Sequence, residues 1–320
     1  MKDSQSTPVS TRGEALALDA LSKITAQLVA EQRRGRRWSV FFKSLLALYA
    51  GAILVLSIAS AWDGLWAMQA PHAALVRIEG AIDANADASA ERVIKGLRTA
   101  FDNEKVKALV LEIDSPGGSP VQAEMIHREI RRLKAHNPEH RIVAVINDTG
   151  ASAAYYIAVA TDEIYANRAS LVGSIGVRMD SFGFTDAMQR LGIERRLYVA
   201  GDHKGALDMF SPVRVEEETH IRDTLAGVHT QFIAAVRKGR GERLKGEEEV
   251  FSGLFWSGEE ALALGLVDGV GDRRTVLDEV LGMETGIDYT PPPDWAGGIG
   301  KWLGGAVSRA LSGAVAAIRF

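Results

Sequence analysis

The stretch Ala108-Leu-Val-Leu-Glu-Ile-Asp-Ser-Pro-Gly-Gly118 begins as an apolar run and ends in a glycine-rich turn. A run of this length and composition is typical of a buried strand. Strand and helix patterns alternate on both sides of it, from residue 75 to residue 166. This alternation predicts a layered α/β fold, whose sites gather in the loops that follow the strands. Two loops occupy that position, residues 114–118 and the turn at Ser152.

The same patterns give the expected elements along the chain. Strands are expected at residues 75–79, 108–113, 142–146, 163–166 and 195–199. Helices are expected at residues 89–101, 121–133, 152–160, 182–191 and across most of 213–243. Residues 256–268 predict a helix that Ser257 caps, with Glu260 three residues later and Gly265 at its end.

The composition limits the chemistry. The 320-residue chain is 47% apolar and has a net charge of −4, which does not indicate nucleic-acid binding. It contains no cysteine, which excludes disulfides, thiolate catalysis and cysteine-ligated zinc. It has neither a His-Glu-x-x-His motif nor a phosphate-binding Gly-Lys-Ser/Thr loop. The sequence therefore predicts no metal and no cofactor.

An N-terminal apolar segment predicts a membrane anchor. Residues 45–61 carry no charge, and the extension to Trp66 is long enough to cross a bilayer. Basic residues precede it at positions 33, 34, 36 and 37, which predicts a cytoplasmic N-terminus and an extracytoplasmic, periplasmic main domain. We therefore expect a single-pass protein of the inner, cytoplasmic membrane. A cleaved signal peptide is the alternative, because residues 57–61 are small enough for a cleavage site.

Four regions follow from these patterns. We expect a cytoplasmic tail with an amphipathic helix at 1–38, the anchor at 39–66, the main domain at 67–290 and a C-terminal amphipathic helix at 291–320. The N-terminal helix either self-associates, lies on the membrane or is a solvated linker. The C-terminal helix either lies on the membrane or docks against protein.

The segment Asp148-Thr-Gly-Ala-Ser-Ala-Ala-Tyr-Tyr-Ile-Ala158 places a serine at the start of a short helix. Ser152 is a candidate nucleophile, because N–H groups at a helix start can point toward an oxyanion. A plain helix N-cap is the alternative. In the turn before the preceding helix, Gly117 and Gly118 offer further N–H donors, although Pro-Gly-Gly also forms ordinary tight turns.

The segment Ala200-Gly-Asp-His-Lys-Gly-Ala-Leu-Asp-Met-Phe-Ser-Pro212 places a lysine in a glycine-flanked loop. Lys204 can take the serine proton only if burial keeps it neutral, and its apolar neighbours from Ala206 to Phe210 offer such surroundings. The alternatives are a solvated surface lysine and a histidine base at His203.

Taken in order, five segments resemble the signal peptide peptidase A family of membrane-anchored serine proteases. They are residues 111–118, the Ser152 segment, residues 169–177, the Lys204 loop and residues 256–268, within a matched stretch of about residues 75–281. The resemblance implies a ClpP/crotonase-like spiral of ββα units preceded by one transmembrane helix. It implies Ser152 as nucleophile, Lys204 as general base, and an oxyanion hole at Gly117, Gly118 and Ala153.

The resemblance also implies a homo-oligomer whose sites are shared between subunits, with peptide substrates such as remnants of signal peptides. The family commonly has Ser-Gly-Gly-Tyr where this chain has Ser152-Ala-Ala-Tyr155. Alanine keeps the N–H but resists positive φ, so the backbone conformation there decides whether the hole forms. Two other functions use the same fold: a non-catalytic membrane scaffold, and an acyl-CoA enzyme with paired glutamates facing the hole.

Overall fold

A computed structural model of the chain describes Lys23, Arg36, residues 38–56 and residues 68–292. The chain forms two compact units, Met1–Ala67 and Met68–Phe320. In the first unit, helix α1 (Trp38–Leu56) has a mean hydropathy of 2.0 and is long enough to cross a membrane. The predicted apolar N-terminal helix is therefore present as a candidate membrane span. The predicted amphipathic helices near both termini lie outside the described residues.

The second unit is built on a sheet of mostly parallel strands. Its order is β6-β5-β3-β2-β1-β8, with β4 paired to β3 and to β7. Only the β5–β6 pair is antiparallel among the pairs of the described residues. The strands are β1 (His72–Glu79), β2 (Val106–Ser115), β3 (Arg141–Ala151), β4 (Glu163–Ala166), β5 (Leu171–Gly173), β6 (Phe255–Ser257), β7 (Gly269–Val270) and β8 (Gly286–Asp288).

Helices connect these strands and cover both faces of the sheet. The α-helices are α2 (Ala90–Phe101), α3 (Pro120–His136), α4 (Ala153–Ala158), α5 (Thr185–Leu191), α6 (Val215–Arg240), α7 (Glu247–Val250), α8 (Gly258–Ala263) and α9 (Arg273–Thr275). A 3₁₀ turn (Gly241–Arg243) follows α6, and a π-helical turn (Val276–Leu281) follows α9.

The strand sequences are apolar because both faces of the sheet are buried. Alternate residues of β1 to β3 pack with α2, α3 and α4 in the larger core cluster. The intervening residues pack with Val276 and Leu277 of the π-helical turn in a second cluster. Burial on two faces removes the polar alternation that marks a strand with one solvent face. The α/β class predicted from the sequence is confirmed.

Strand β3 changes its neighbour along its length, and this positions the site. Residues 143–146 pair with β4, whereas residues 149–151 pair with β5. Because of this change of partner, the end of β3 lies beside Gly173 of β5. Helix α4 begins directly after it. This succession of strand, branching strand and crossover helix agrees with the expected spiral of ββα units.

Two expectations need correction. Residues 195–199 form no strand; Tyr198 is 89% exposed and no strand among the described residues pairs with this segment. A segment without a partner strand cannot satisfy its backbone groups in a sheet. The predicted helix at 256–268 is also too long, because residues 255–257 form β6 and only Gly258–Ala263 is helical. Its capping box between Ser257 and Glu260 is confirmed.

A buried ion pair joins the end of α6 to the loop before β7. The Arg240 side chain, 1% exposed, donates two bonds to the Asp268 carboxylate, at 2.7 and 3.0 Å. Arg240 Nε also donates to Gly265 O, and Ile164 N donates to Asp268. Burial by itself would raise the pKa of Asp268, but the Arg240 hydrogen bond and charge lower it overall. The pair thus ties α6 to β4 and to the loop after α8.

We predict that Arg240→Ala destabilises the domain by about 3–5 kcal/mol, because it leaves the Asp268 carboxylate buried without its main partner. Urea denaturation of the detergent-solubilised chain measures this change. The matched control is Arg222→Ala, which removes an exposed i,i+4 pair with Glu218 and should cost less than about 0.5 kcal/mol. Equal losses in the two variants would contradict a structural role for the Arg240–Asp268 pair.

Candidate active site

Ser152 lies at the junction of β3 and α4 in a strained backbone conformation. Its φ is 55° and its ψ is −124°, nearly the values of Gly241, which has φ 54° and ψ −133°. A side chain in such a region costs about 1–3 kcal/mol and persists only where the surroundings impose it. The Ser152 N–H donates to Gly173 O at 2.8 Å, and Tyr156 N donates to Ser152 O at 3.0 Å. Strand β5 and helix α4 therefore hold the residue from both sides.

Burial fixes the short helix behind the serine. Ala153, Ala154 and Tyr155 are buried at the start of α4. The Tyr155 hydroxyl donates to Leu266 O at 2.7 Å, and burial raises the pKa of this phenol, which keeps the donor protonated. A six-residue helix has little stability of its own, so this packing decides where its first turn points.

The Gly117-Gly118 turn lies directly against the serine. Gly117 has φ +102°, and a Cβ built on it would lie 2.7 Å from Ser152 Cβ and 3.0 Å from Ala153 N. Gly118 has φ +150°, and its Cβ would lie 2.2 Å from Ile82 O. No side chain fits at either position. The structure thus brings together the glycine turn, Ser152 and Ala153, which the sequence placed in separate loops.

The backbone N–H groups of this cluster differ in their partners. Gly117 N donates to Ser115 Oγ at 3.1 Å, a bond that fixes the turn. Among the described residues, the Gly118 and Ala153 N–H groups have no acceptor. Such N–H groups beside a serine hydroxyl are suited to hold a developing oxyanion. Of the three predicted donors, Gly118 and Ala153 therefore have the N–H available.

The two alanines after the serine are compatible with this geometry. In the described part of the chain, the non-glycine residues with positive φ are Ser152, Ser174 and Leu207. Ala153 and Ala154 are ordinary helical residues at the start of α4. Replacing the family's usual glycines by alanine therefore introduces no backbone strain, and the Ala153 N–H keeps its position.

Helix α3 follows the glycine turn and helix α4 follows Ser152. Side chains of these two helices contact each other. The Tyr156 hydroxyl donates to Glu124 Oε2, and the Tyr156 ring lies 5.0 Å from the ring of His127. Burial lowers the pKa of His127 to about 4, so this imidazole is neutral at pH 7. Across the described residues, no histidine forms a hydrogen bond with Ser152. The described residues also contain no group of three side chains suited to a metal.

Lys204 forms no hydrogen bond with Ser152 of the same chain. It lies in an exposed turn, in which its N–H donates to Gly201 O at 3.1 Å. Its ammonium forms no hydrogen bond or ion pair with any other described residue. The whole arm, defined as residues 177–216 and including α5, contains no buried residue. The predicted Ser–Lys pair is therefore incomplete in a single copy of the chain.

Sequence reasoning missed two serines of the cluster. Ser115 is fully buried and accepts the Gly117 N–H. Ser174 follows Gly173, has a φ of 50°, and donates its N–H to Leu254 O at 2.8 Å. Both lie inside segments that the sequence singles out, 111–118 and 169–177. Their neighbours become visible only once β2, β3 and β5 are aligned.

Comparison with known families finds similarity to proteases. The sequence model described as "Peptidase family S49" matches residues 134–284, a range that includes Ser152 and Lys204. The putative signal peptide peptidase SppA of Enterococcus faecium is 29% identical over 221 residues, which cover 67% of this chain and 62% of the relative. Other curated relatives of similar identity are also named proteases.

Two further similarities are narrower. The Na(+)/H(+) antiporter NhaA of Brucella abortus (strain 2308) is 39% identical over 196 residues, 61% of this chain but only 26% of that protein, so its name describes mostly unmatched sequence. A solved mutant of the 1510-N membrane-bound stomatin-specific protease with a substrate peptide is 18% identical, covering 67% of this chain and 82% of that one. Its TM-score of 0.43 is too low to support a conclusion about function.

The chain spans between about a quarter and two thirds of the length of the first curated relatives that it matches. The family match, the protease-named relatives and the order of the five segments agree with one another. Residues 134–284 thus match peptidase family S49, and the relatives named signal peptide peptidase or protease support the signal peptide peptidase A family.

Proposed function

We propose that this chain is a membrane-anchored serine endopeptidase with Ser152 as its nucleophile and Lys204 as its general base. The observation that carries the proposal is the glycine-like conformation of Ser152, held against the Gly117-Gly118 turn. A serine that merely capped α4 would use its hydroxyl as an acceptor, but Ser152 makes no such side-chain bond. Strain at a residue of this kind is typical of a functional site.

In this proposal Ser152 Oγ attacks the peptide carbonyl carbon while neutral Lys204 takes the hydroxyl proton. The carbonyl oxygen becomes an oxyanion and accepts hydrogen bonds from Gly118 and Ala153. Protonated Lys204 then donates its proton to the leaving amine, and water hydrolyses the acyl-enzyme. The bond of Gly117 N–H to Ser115 Oγ orients the turn rather than binding the oxyanion.

The base comes from a neighbouring copy of the chain in this proposal. Lys204 is exposed, and the arm that carries it has no buried residue. Exposed apolar side chains line the arm, among them Phe182, Leu191, Tyr198 and Val213. A homo-oligomer in which the arm of one copy covers the Ser152 cluster of the next would bury these residues and desolvate the lysine.

Location and substrate follow from the anchor and the family. Helix α1 has the length and hydropathy of a membrane span, and basic residues precede it in the sequence. We place the catalytic domain on the extracytoplasmic side, where membrane-proximal peptides such as signal peptide remnants are available.

Two other functions are less well supported. An acyl-CoA enzyme of this fold needs paired glutamates at the hole, but the buried Glu112 and Glu129 are bound by arginines elsewhere in the domain. A non-catalytic scaffold needs no strained serine. Labelling by a fluorophosphonate probe separates the scaffold from the protease, because only an activated serine reacts.

We predict that Ser152→Ala and Lys204→Ala each lower kcat for an alanine- and leucine-containing fluorogenic peptide by about 10³-fold or more, because the two groups act as one unit. Fluorophosphonate labelling should be lost in both. Lys95→Ala, at another exposed lysine, is the matched control and should retain full activity. Full activity in Lys204→Ala, with an inactive His203→Ala, would instead support a histidine base.

Mixing two inactive variants tests where the site forms. We predict that co-expressed Ser152→Ala and Lys204→Ala chains recover about one quarter of wild-type activity, since one interface in four combines an intact serine with an intact lysine. Size-exclusion chromatography of differently tagged chains confirms that mixed oligomers are present. Mixed oligomers without any activity would rule out a site shared between subunits.

The glycine turn gives an independent test of the serine geometry. We predict that Gly117→Ala abolishes fluorophosphonate labelling, because its Cβ would lie 2.7 Å from Ser152 Cβ at a φ that alanine resists. Gly227→Ala, outside the arm, is the control, since a Cβ there meets nothing within 4 Å. Circular dichroism and thermal unfolding show whether each variant folds. Normal labelling of a folded Gly117→Ala protein would place the oxyanion hole elsewhere.

A further inference from the structure

The Glu217 carboxylate, beside the Lys204 loop, is buried although the residues around it in the sequence are not. Between residues 176 and 231, Glu217 is the only buried residue, and its side chain is 8% exposed. A buried carboxylate is unfavourable unless other groups compensate its charge. Its burial in an otherwise solvated stretch therefore indicates that specific partners enclose it.

The partners of Glu217 connect it to the lysine loop. The Arg214 guanidinium contacts the Glu217 carboxylate and also donates to Asp202 O at 2.7 Å. His203 Nδ1 lies 3.4 Å from Glu217 Oε1. Asp202 and His203 are the two residues that immediately precede Lys204. The start of α6 thus holds the backbone and a side chain of the loop, just before the proposed base.

The position of Glu217 at a helix start does not explain this burial. Glu216, Glu217 and Glu218 all lie in the first turn of α6, where carboxylates interact favourably with the helix dipole. Glu216 and Glu218 remain exposed, and Glu218 pairs with Arg222 on the solvent side. Only Glu217 is directed toward the loop, so its contacts with Arg214 and His203 distinguish it from its neighbours.

The loop is held on its other side as well. Asp208 lies 3.2 Å from Arg195 Nε and accepts the Ser211 hydroxyl at 2.7 Å. The Ser211 hydrogen bond is the main cause that lowers the pKa of Asp208 below its usual value. Lys204 therefore lies between two anchored points, while its own side chain remains exposed.

We infer that Glu217 is a positioning residue for Lys204, acting through a clamp formed by Glu217, Arg214 and His203. This inference rests on the proposed role of Lys204 as the base. A general base must lie within hydrogen-bond reach of its proton, and a displacement of about 1 Å can cost on the order of 100-fold in rate. The clamp restricts the loop before the lysine reaches the neighbouring site, and it gives His203 a role other than proton transfer.

The test compares Glu217→Ala with Glu218→Gln in the full chain in detergent. We expect Glu217→Ala to lower kcat for the fluorogenic peptide by about 10- to 100-fold, with KM changed by less than about threefold. The rate constant of fluorophosphonate labelling should fall in parallel, while the fraction of serine finally labelled stays that of wild type. Glu218→Gln, one residue along the same helix turn, should stay within about twofold of wild type.

The final labelled fraction distinguishes a positioning role from damage to the fold. Misfolding lowers this fraction, whereas loss of positioning lowers only the rate constant. A Glu217→Ala protein with unchanged kcat and labelling rate would overturn the clamp. So would a variant in which only KM rises, because that result would assign Glu217 to substrate binding. An active Lys204→Ala protein would contradict the proposed function itself. The Glu217 variants test only the clamp, so the two failures are distinguishable.

A milder pair of variants keeps the test decisive if Glu217→Ala does not assemble. The His203 side chain is 68% exposed, so its replacement leaves the fold intact. His203→Gln retains a donor for Glu217 and should preserve activity, whereas His203→Leu removes the contact and should lower kcat by about fivefold or more. Equal activity of the two variants at the wild-type level would overturn the role of His203 in the clamp.

Discussion

The strained backbone of Ser152 is the constraint on which the other features of the site depend. The bond from Ser152 N to Gly173 O requires β5 to replace β4 beside the end of β3. The approach of Gly117 requires a turn that only glycine can form. Burial of Tyr155 keeps the first turn of α4 in place. Each of these features stabilises one conformation, in which a serine occupies dihedral angles that normally belong to glycine.

The two halves of the proposed site lie in environments of different stability. The serine half is part of the buried core, where α3 and α4 pack on the sheet. The lysine half belongs to an arm without a buried residue before Glu217. A segment that buries little apolar surface gains its order from polar contacts or from a partner. The Arg195–Asp208 ion pair lies within the arm, and the Arg214–Glu217 ion pair joins the arm to α6.

Sequence patterns predicted the core well and the arm less well. Strands β1 to β4 and helices α2 to α4 fall where the apolar periodicity placed them, because burial imposes that periodicity. The predicted strand at 195–199 is wrong, since a segment with suitable residues forms a strand only beside a partner strand. The sequence also could not predict that the Gly117 N–H is already bonded, because its acceptor is the buried Ser115 hydroxyl.

The sequence by itself determined the α/β class, the candidate membrane span and the family, because short segments of fixed composition carry each of them. The tertiary structure decided how these segments meet. Parallel pairing of β2, β3 and β5 brings Gly117, Ser152 and Gly173 together from positions far apart in the chain. Contacts of Arg214 and His203 with Glu217 likewise hold the loop before Lys204 against the start of α6. Contacts between distant segments depend on strand register and burial, which no local pattern specifies.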